Sequence, residues 1–157
     1  MRLRITRVLV AIVALFALAG AALAAEKKPA SKKAPPKLVL WAADDLKWTA
    51  GKNGPPGVMM AVLWGDPDKG AHGALHKFPG GFEAPLHHHT SSYRGVVISG
   101  TLVVTPEGGT AKSLPSGSYF SAPPMNKHTT KCEGASGCVI FVEATHAWDV
   151  VLEGAKK

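Results

Sequence analysis

Cysteine is nearly absent from this chain of 157 residues: there are two. Cys132 and Cys138 flank "EGASG", without the two-residue spacing that marks thiolate pairs serving metals or redox exchange. An oxidising compartment would leave them a disulfide across the turn. Closing so short a loop would stabilise the fold by about 2 kcal/mol. Long helical periodicity is scarce as well, while short apolar runs separated by Gly, Pro, Asn and Asp are frequent, which points to an all-β domain. No apolar run reaches the ~20 residues of a membrane span. A phosphate loop is also missing, because "PEGGT" (residues 106–110) reads as a hairpin turn with no lysine and hydroxyl pair after it. Ser91 and Ser92 adjoin histidines in sequence, but no orienting carboxylate completes a triad.

A basic domain is another absence, although the formal net charge of +7 suggests otherwise. Eight of the eighteen basic residues fall before residue 38, and Lys156 and Lys157 add two more. Between residues 38 and 154, eight basic residues face ten acidic ones. Nucleic-acid binding by the fold is therefore disfavoured, since it needs a basic face.

The chain does contain a patterned N-terminus. Arg2, Arg4 and Arg7 lead into the apolar run 8–18, and Ala22 and Ala24 stand at the minus-three and minus-one positions of a cleavage site. Residues 1–24 thus read as a secretory signal peptide, with an uncleaved anchor as the alternative. No cysteine near residue 25 supports a lipoprotein anchor. The expected location is periplasmic or secreted, with no stable membrane insertion after cleavage. Residues 25–37, rich in Lys and Pro, read as a disordered tether, and 38–155 as the folded domain.

Within that domain ten short strands are expected, at 37–41, 58–64, 73–78, 84–89, 94–99, 101–105, 117–122, 127–132, 138–144 and 148–153. So many strands in so short a stretch suit a small barrel or double-sheet sandwich. Trp41 and Trp48 are assigned to a loop packing on its exterior or at a dimer contact. A homodimer is left open.

Chemistry concentrates in "APLHHHTSSYRGVVISG", residues 84–100. On a strand, alternation gives His87 and His89 one face and His88 the other, the surface. Two imidazoles on one face can grip one metal ion. Tyr93 would lie about 13 Å past His89 on a straight strand, so "TSS" (90–92) is expected to turn the chain and bring it back on a neighbouring antiparallel strand. His72 is read as a loop residue and His76 as a core, rim or supporting position. His146 is given no role. Met59, Met60 and Met125 are read as barrel filling, with Met125 bordering the pocket. Glu83 is an exposed alternative carboxylate near the barrel mouth.

Gly81, His87, His89 and Gly100 fall at the spacing of the first cupin motif, with Tyr93 where the family usually has glutamate. Gly117, Pro123 and His128 fit the second motif, with Met125 in place of its second glycine and Cys132 in place of its asparagine. Sixteen residues separate Gly100 from Gly117. The chain resembles the cupin superfamily over residues 58–145, with core motifs at 81–100 and 117–132. It looks like short secreted RmlC-like cupins of unknown function and the cupin domain of some bacterial anti-sigma factors.

The resemblance implies a cupin-type jelly-roll β-barrel (double-stranded β-helix) and one divalent metal ion, Fe, Mn, Zn or Cu, held by His87, His89 and His128. Losing the glutamate leaves three neutral ligands and more positions open to water or substrate. Tyr93, the candidate catalytic residue, is left with three roles: phenolate ligand, hydrogen-bonding group or space filler. Three functions follow. One is a metal-dependent, dioxygenase-like or isomerase enzyme acting on a small molecule; the second is a non-catalytic metal- or ligand-binding module; the third is a metal-free structural cupin.

Overall fold

The computed structural model describes residues 37–51 and 54–154. The expected signal peptide and all but the last residue of the tether lie outside the described residues. Val39–Lys157 form one compact unit. Among the described residues it carries eleven strands: β1 (Thr49–Ala50), β2 (Met59–Gly65), β3 (His72–Phe78), β4 (Glu83–His88), β5 (Tyr93–Ser99), β6 (Thr101–Pro106), β7 (Lys112–Pro115), β8 (Tyr119–Ala122), β9 (His128–Glu133), β10 (Cys138–Ala144) and β11 (Val151–Leu152). A single 3₁₀ turn, Ala43–Asp45, precedes them.

The strands form two antiparallel sheets, one in the order β1-β2-β3-β10-β5-β8 and the other β11-β4-β9-β6-β7. β10 shows how the sequence builds them. Its residues alternate strictly, with Cys138, Ile140, Val142 and Ala144 buried and the residues between them partly exposed, the period of a strand covered on one face. Register places Ile140 between His76 and Val97, and Val142 between Ala74 and Gly95. These inner rows meet Leu102 of the opposite sheet in the buried core, with Phe78, Phe120 and Trp148 packed against it. Burying each such aliphatic side chain is worth roughly 1.5–3 kcal/mol.

Gly100 shows why a motif glycine sits between β5 and β6. Its φ is 77°, and a Cβ there would come within 2.3 Å of the Gly137 carbonyl oxygen, so neither conformation nor space admits a side chain. Cys132 and Cys138 are bonded, and because β9 and β10 belong to different sheets the bridge staples one sheet to the other.

Several sequence expectations are corrected. Residues 37–41 form no strand: Leu38, Val39, Leu40 and Trp41 are exposed, because an apolar run becomes a strand only when a neighbour pairs with it. β1 and β7 were hidden by their shortness. Residues 148–153 hold only the two-residue β11, paired to β4. His72 opens β3 and is fully buried. "PEGGT" does form the β6–β7 turn, with Gly109 N–H donating to the Pro106 carbonyl at 2.9 Å.

Candidate metal centre

His87 stands near the end of β4 and His128 opens β9, and the two are direct cross-strand partners. A register shift between Ala84 and His87 lets this pairing form. His89 follows β4 immediately. The ring centroids lie 4.4 Å apart for His87 and His128, 5.2 Å for His87 and His89, and 5.7 Å for His89 and His128. One nitrogen from each ring falls within 4.8 Å of the others, and all three residues are buried.

Each imidazole is aimed by its other nitrogen. His87 Nδ1 donates to the Pro85 carbonyl at 2.7 Å, His128 Nδ1 to the Asn126 carbonyl at 2.9 Å, and His89 Nδ1 to the Asp149 carbonyl. With the proton committed to Nδ1, each Nε2 carries a lone pair, the tautomer a metal requires. Burial lowers the pKa of His89 to about 4 and also lowers that of His128, so both are neutral at pH 7. Three buried, convergent nitrogen donors fit a divalent transition metal.

Tyr93 reaches the site by a different route from the one expected. β4 and β5 do not pair; they belong to opposite sheets, and residues 89–92 carry the chain across the barrel. The phenol still arrives, with its O–H donating to His128 Nε2 at 3.1 Å and its ring edge-on to His89 at 4.9 Å. Burial raises the phenol pKa well above its ordinary value, so Tyr93 is a protonated donor here and not a phenolate.

The C-terminal segment forms the site's outer support, which sequence reasoning missed. The Trp148 indole lies 4.2 Å from the His89 ring and 5.3 Å from Tyr93, while Trp148 N–H is held by the Pro67 carbonyl at 2.7 Å. The Asp149 carboxylate accepts from Thr90 N–H at 2.9 Å. Glu153 accepts from His88 Nδ1 at 2.6 Å and pairs with Lys127 at 3.0 Å. His88 thus points away from the His87, His89 and His128 cluster as expected but is buried, not at the surface, because this segment covers it. The only signal in "HAWDV" was a tryptophan beside an acid.

The remaining candidates stay apart. Glu83 is exposed and pairs with Lys131 at 2.9 Å; Arg94 pairs with Glu143 at 2.7 Å on the outer face. His146 is exposed. Met125 does not line the cavity but is 57% exposed, and it holds the left-handed φ of 63° where the cupin pattern has glycine. Its N–H donates to the His89 carbonyl at 2.9 Å, so the turn is kept at the cost of strain.

The three histidines open on a cavity of about 830 Å³, whose lining includes Phe78, Phe82, Leu102, Phe120, Ile140 and Val142. Met59 and Met60 also border it. Its volume is that of a small-molecule site.

A family model described as a domain of unknown function, DUF4437, matches residues 15–151. No curated protein matches the chain. Among solved structures, KdgF from a Halomonas species is 23% identical, with a TM-score of 0.55 over 68% of this chain and 94% of that one. An RmlC-like cupin from Shewanella frigidimarina is 21% identical, with a TM-score of 0.55 over 71% and 93%. The polyketide cyclase RemF from Streptomyces resistomycificus is 15% identical, with a TM-score of 0.65 over 77% and 89%. At these identities the likeness is one of fold, and the fold is the cupin barrel.

Proposed function

The chain belongs to the DUF4437 family, and on that premise we propose that His87, His89 and His128 hold one divalent metal ion at which a small molecule is bound and transformed, by oxygenase or isomerase chemistry. The observation that carries this reading is the common aim of the three imidazoles, each pinned at Nδ1 by a backbone carbonyl, with one nitrogen of each ring within 4.8 Å of the others. When bound, the ion would supply Lewis acidity and open positions for oxygen donors. The chain's own residues supply the rest. Tyr93 holds a proton at its hydroxyl beside His128, and once the Nε2 lone pair is engaged that O–H is left to donate to a ligand. Trp148 fixes His89 and walls the site, and the apolar lining limits water. Neighbours of the same fold include a polyketide cyclase and an oxalate oxidase, so such barrels do host catalysis, without specifying it here.

A second reading, a non-catalytic binding or sensing module, is favoured by the character of Tyr93. Its hydroxyl, held against His128 at 3.1 Å, can orient a ligand without moving a proton. The N-terminal pattern at residues 1–24 supports export under either reading, and a mature N-terminus at Ala25 would test that. Elemental analysis of protein purified from its native compartment tests the function. Iron or manganese near one equivalent supports the enzyme, tightly held zinc or copper supports the module, and metal-free protein rejects both.

A further inference from the structure

The cavity has a second polar point that the metal reading does not use. His76, on β3, is 4% exposed and lines the cavity, yet its Nε2 has no hydrogen-bond partner. Cross-strand register sets it in the inner row with Met60 and Ile140, an apolar setting. A buried imidazole nitrogen left unpaired costs roughly 1–3 kcal/mol, and such groups in folded proteins are normally satisfied. His72 also carries an unpartnered Nε2, but among the residues lining the cavity only His76 of this pair occurs.

Position makes His76 relevant to a ligand. His76 and His89 both lie against Trp148, with ring centroids at 5.3 Å and 4.2 Å from the indole. The two histidines are therefore no more than about 9.5 Å apart, the span of one six-membered ring with a substituent at each end. Phe78, stacked beside His76 at 6.4 Å, and Trp148 offer flat apolar walls between them. Of the charged residues on the lining, Asp68 and Lys112 are exposed, and the Asp149 carboxylate is engaged by Thr90 N–H. Among the described residues, no free charge faces the interior between the three histidines and His76.

We propose that His76 is the second anchor of the cavity, and that the ligand is a neutral, ring-bearing molecule with oxygen donors toward His87, His89 and His128 and one hydrogen-bonding group, such as a hydroxyl, toward the His76 imidazole. The inference rests on the metal-centre reading above and adds to it the length, charge and polarity of the molecule. His76 selects the ligand; His87, His89 and His128 anchor its other end through the ion.

The test uses the whole folded protein loaded with zinc and two probes of nearly equal shape, 4-methylcatechol and 4-(hydroxymethyl)catechol, titrated calorimetrically. The hydroxymethyl compound is expected to bind about tenfold tighter, the value of one satisfied buried hydrogen bond. His76→Leu should abolish that preference while leaving zinc content and 4-methylcatechol affinity within about threefold. His76→Gln, which keeps a polar end, should retain part of it and serves if the leucine variant does not fold. Zinc uptake with equal affinities for the two probes in the unmodified protein, or with neither probe bound, overturns the role of His76 alone. No zinc uptake overturns the metal reading and this inference with it.

Discussion

His87 and His128 face each other directly across the β4–β9 ladder, with ring centroids 4.4 Å apart. This pairing joins the two sequence motifs into one site, because neither strand carries three ligands. Simultaneous replacement His87→Ala and His128→Ala should leave His89 as a lone imidazole. Metal content should then drop from near one equivalent by at least tenfold, as read by elemental analysis after dialysis. Undiminished metal would place the ion elsewhere.

Tyr93→Phe keeps the ring that packs on His89 and Trp148 and removes only the hydroxyl that bonds His128. Metal stoichiometry should be unchanged and stability lower by no more than about 1.5 kcal/mol. If the site is catalytic, turnover should fall by about 10²-fold or more. A variant with full turnover would assign the hydroxyl to packing.

The buried histidines make the metal-free protein sensitive to mild acid. His76 and His89 both have folded pKa values of about 4, lowered chiefly by burial, against about 6.5 in an unfolded chain. Between those values the unfolded state binds more protons, so stability is full above about pH 6.5 and declines as pH falls toward 4, by up to roughly 1.4 kcal/mol per unit for each residue. Urea unfolding in the presence of a chelator at pH 7.5, 6 and 5 should show the midpoint falling. A flat profile would mean that these rings are hydrated or charged in the folded state.

Met125→Gly should relieve the left-handed strain at φ 63° and sacrifice little packing, since the side chain is 57% exposed. The expected gain is about 0.5–1 kcal/mol after the greater unfolded-chain entropy of glycine is set against the relief. Because Met125 N–H is bonded to the His89 carbonyl, metal affinity should be unaltered. A loss of stability on thermal unfolding would show that the methionine side chain makes contacts worth more than the strain.

The disulfide joins the strand that begins with His128 to the opposite sheet. Replacing both Cys132 and Cys138 by alanine should lower stability by about 2 kcal/mol for loop closure, with a further loss because both side chains are buried. Denaturant melts with and without reductant, compared with this variant, separate the two contributions.

Legibility differed between residues for physical reasons. The inner faces of β5 and β10 could be read directly, because alternation with a period of two survives in the sequence wherever one face is buried. Strand alternation paired His87 with His89, and only the resemblance to the cupin motifs added His128. His88 was misjudged because alternation states which way a side chain points and not what lies there; Glu153 covers it. The segment 37–41 was misjudged for the converse reason, since apolar character supplied no partner strand.

By itself, the sequence determined the strand-rich class, the resemblance to a pair of barrel motifs, the same-face pair His87 and His89 and the disulfide to test, since these depend on residue type and short-range spacing. Only the tertiary structure decided that Tyr93 crosses to the opposite sheet and still reaches His128, that Trp148 and Asp149 support His89, and that His76, on the cavity lining, keeps an unpaired Nε2. Those relations join residues far apart along the chain. They follow from which strands pair and which face each covers, information that local spacing does not carry.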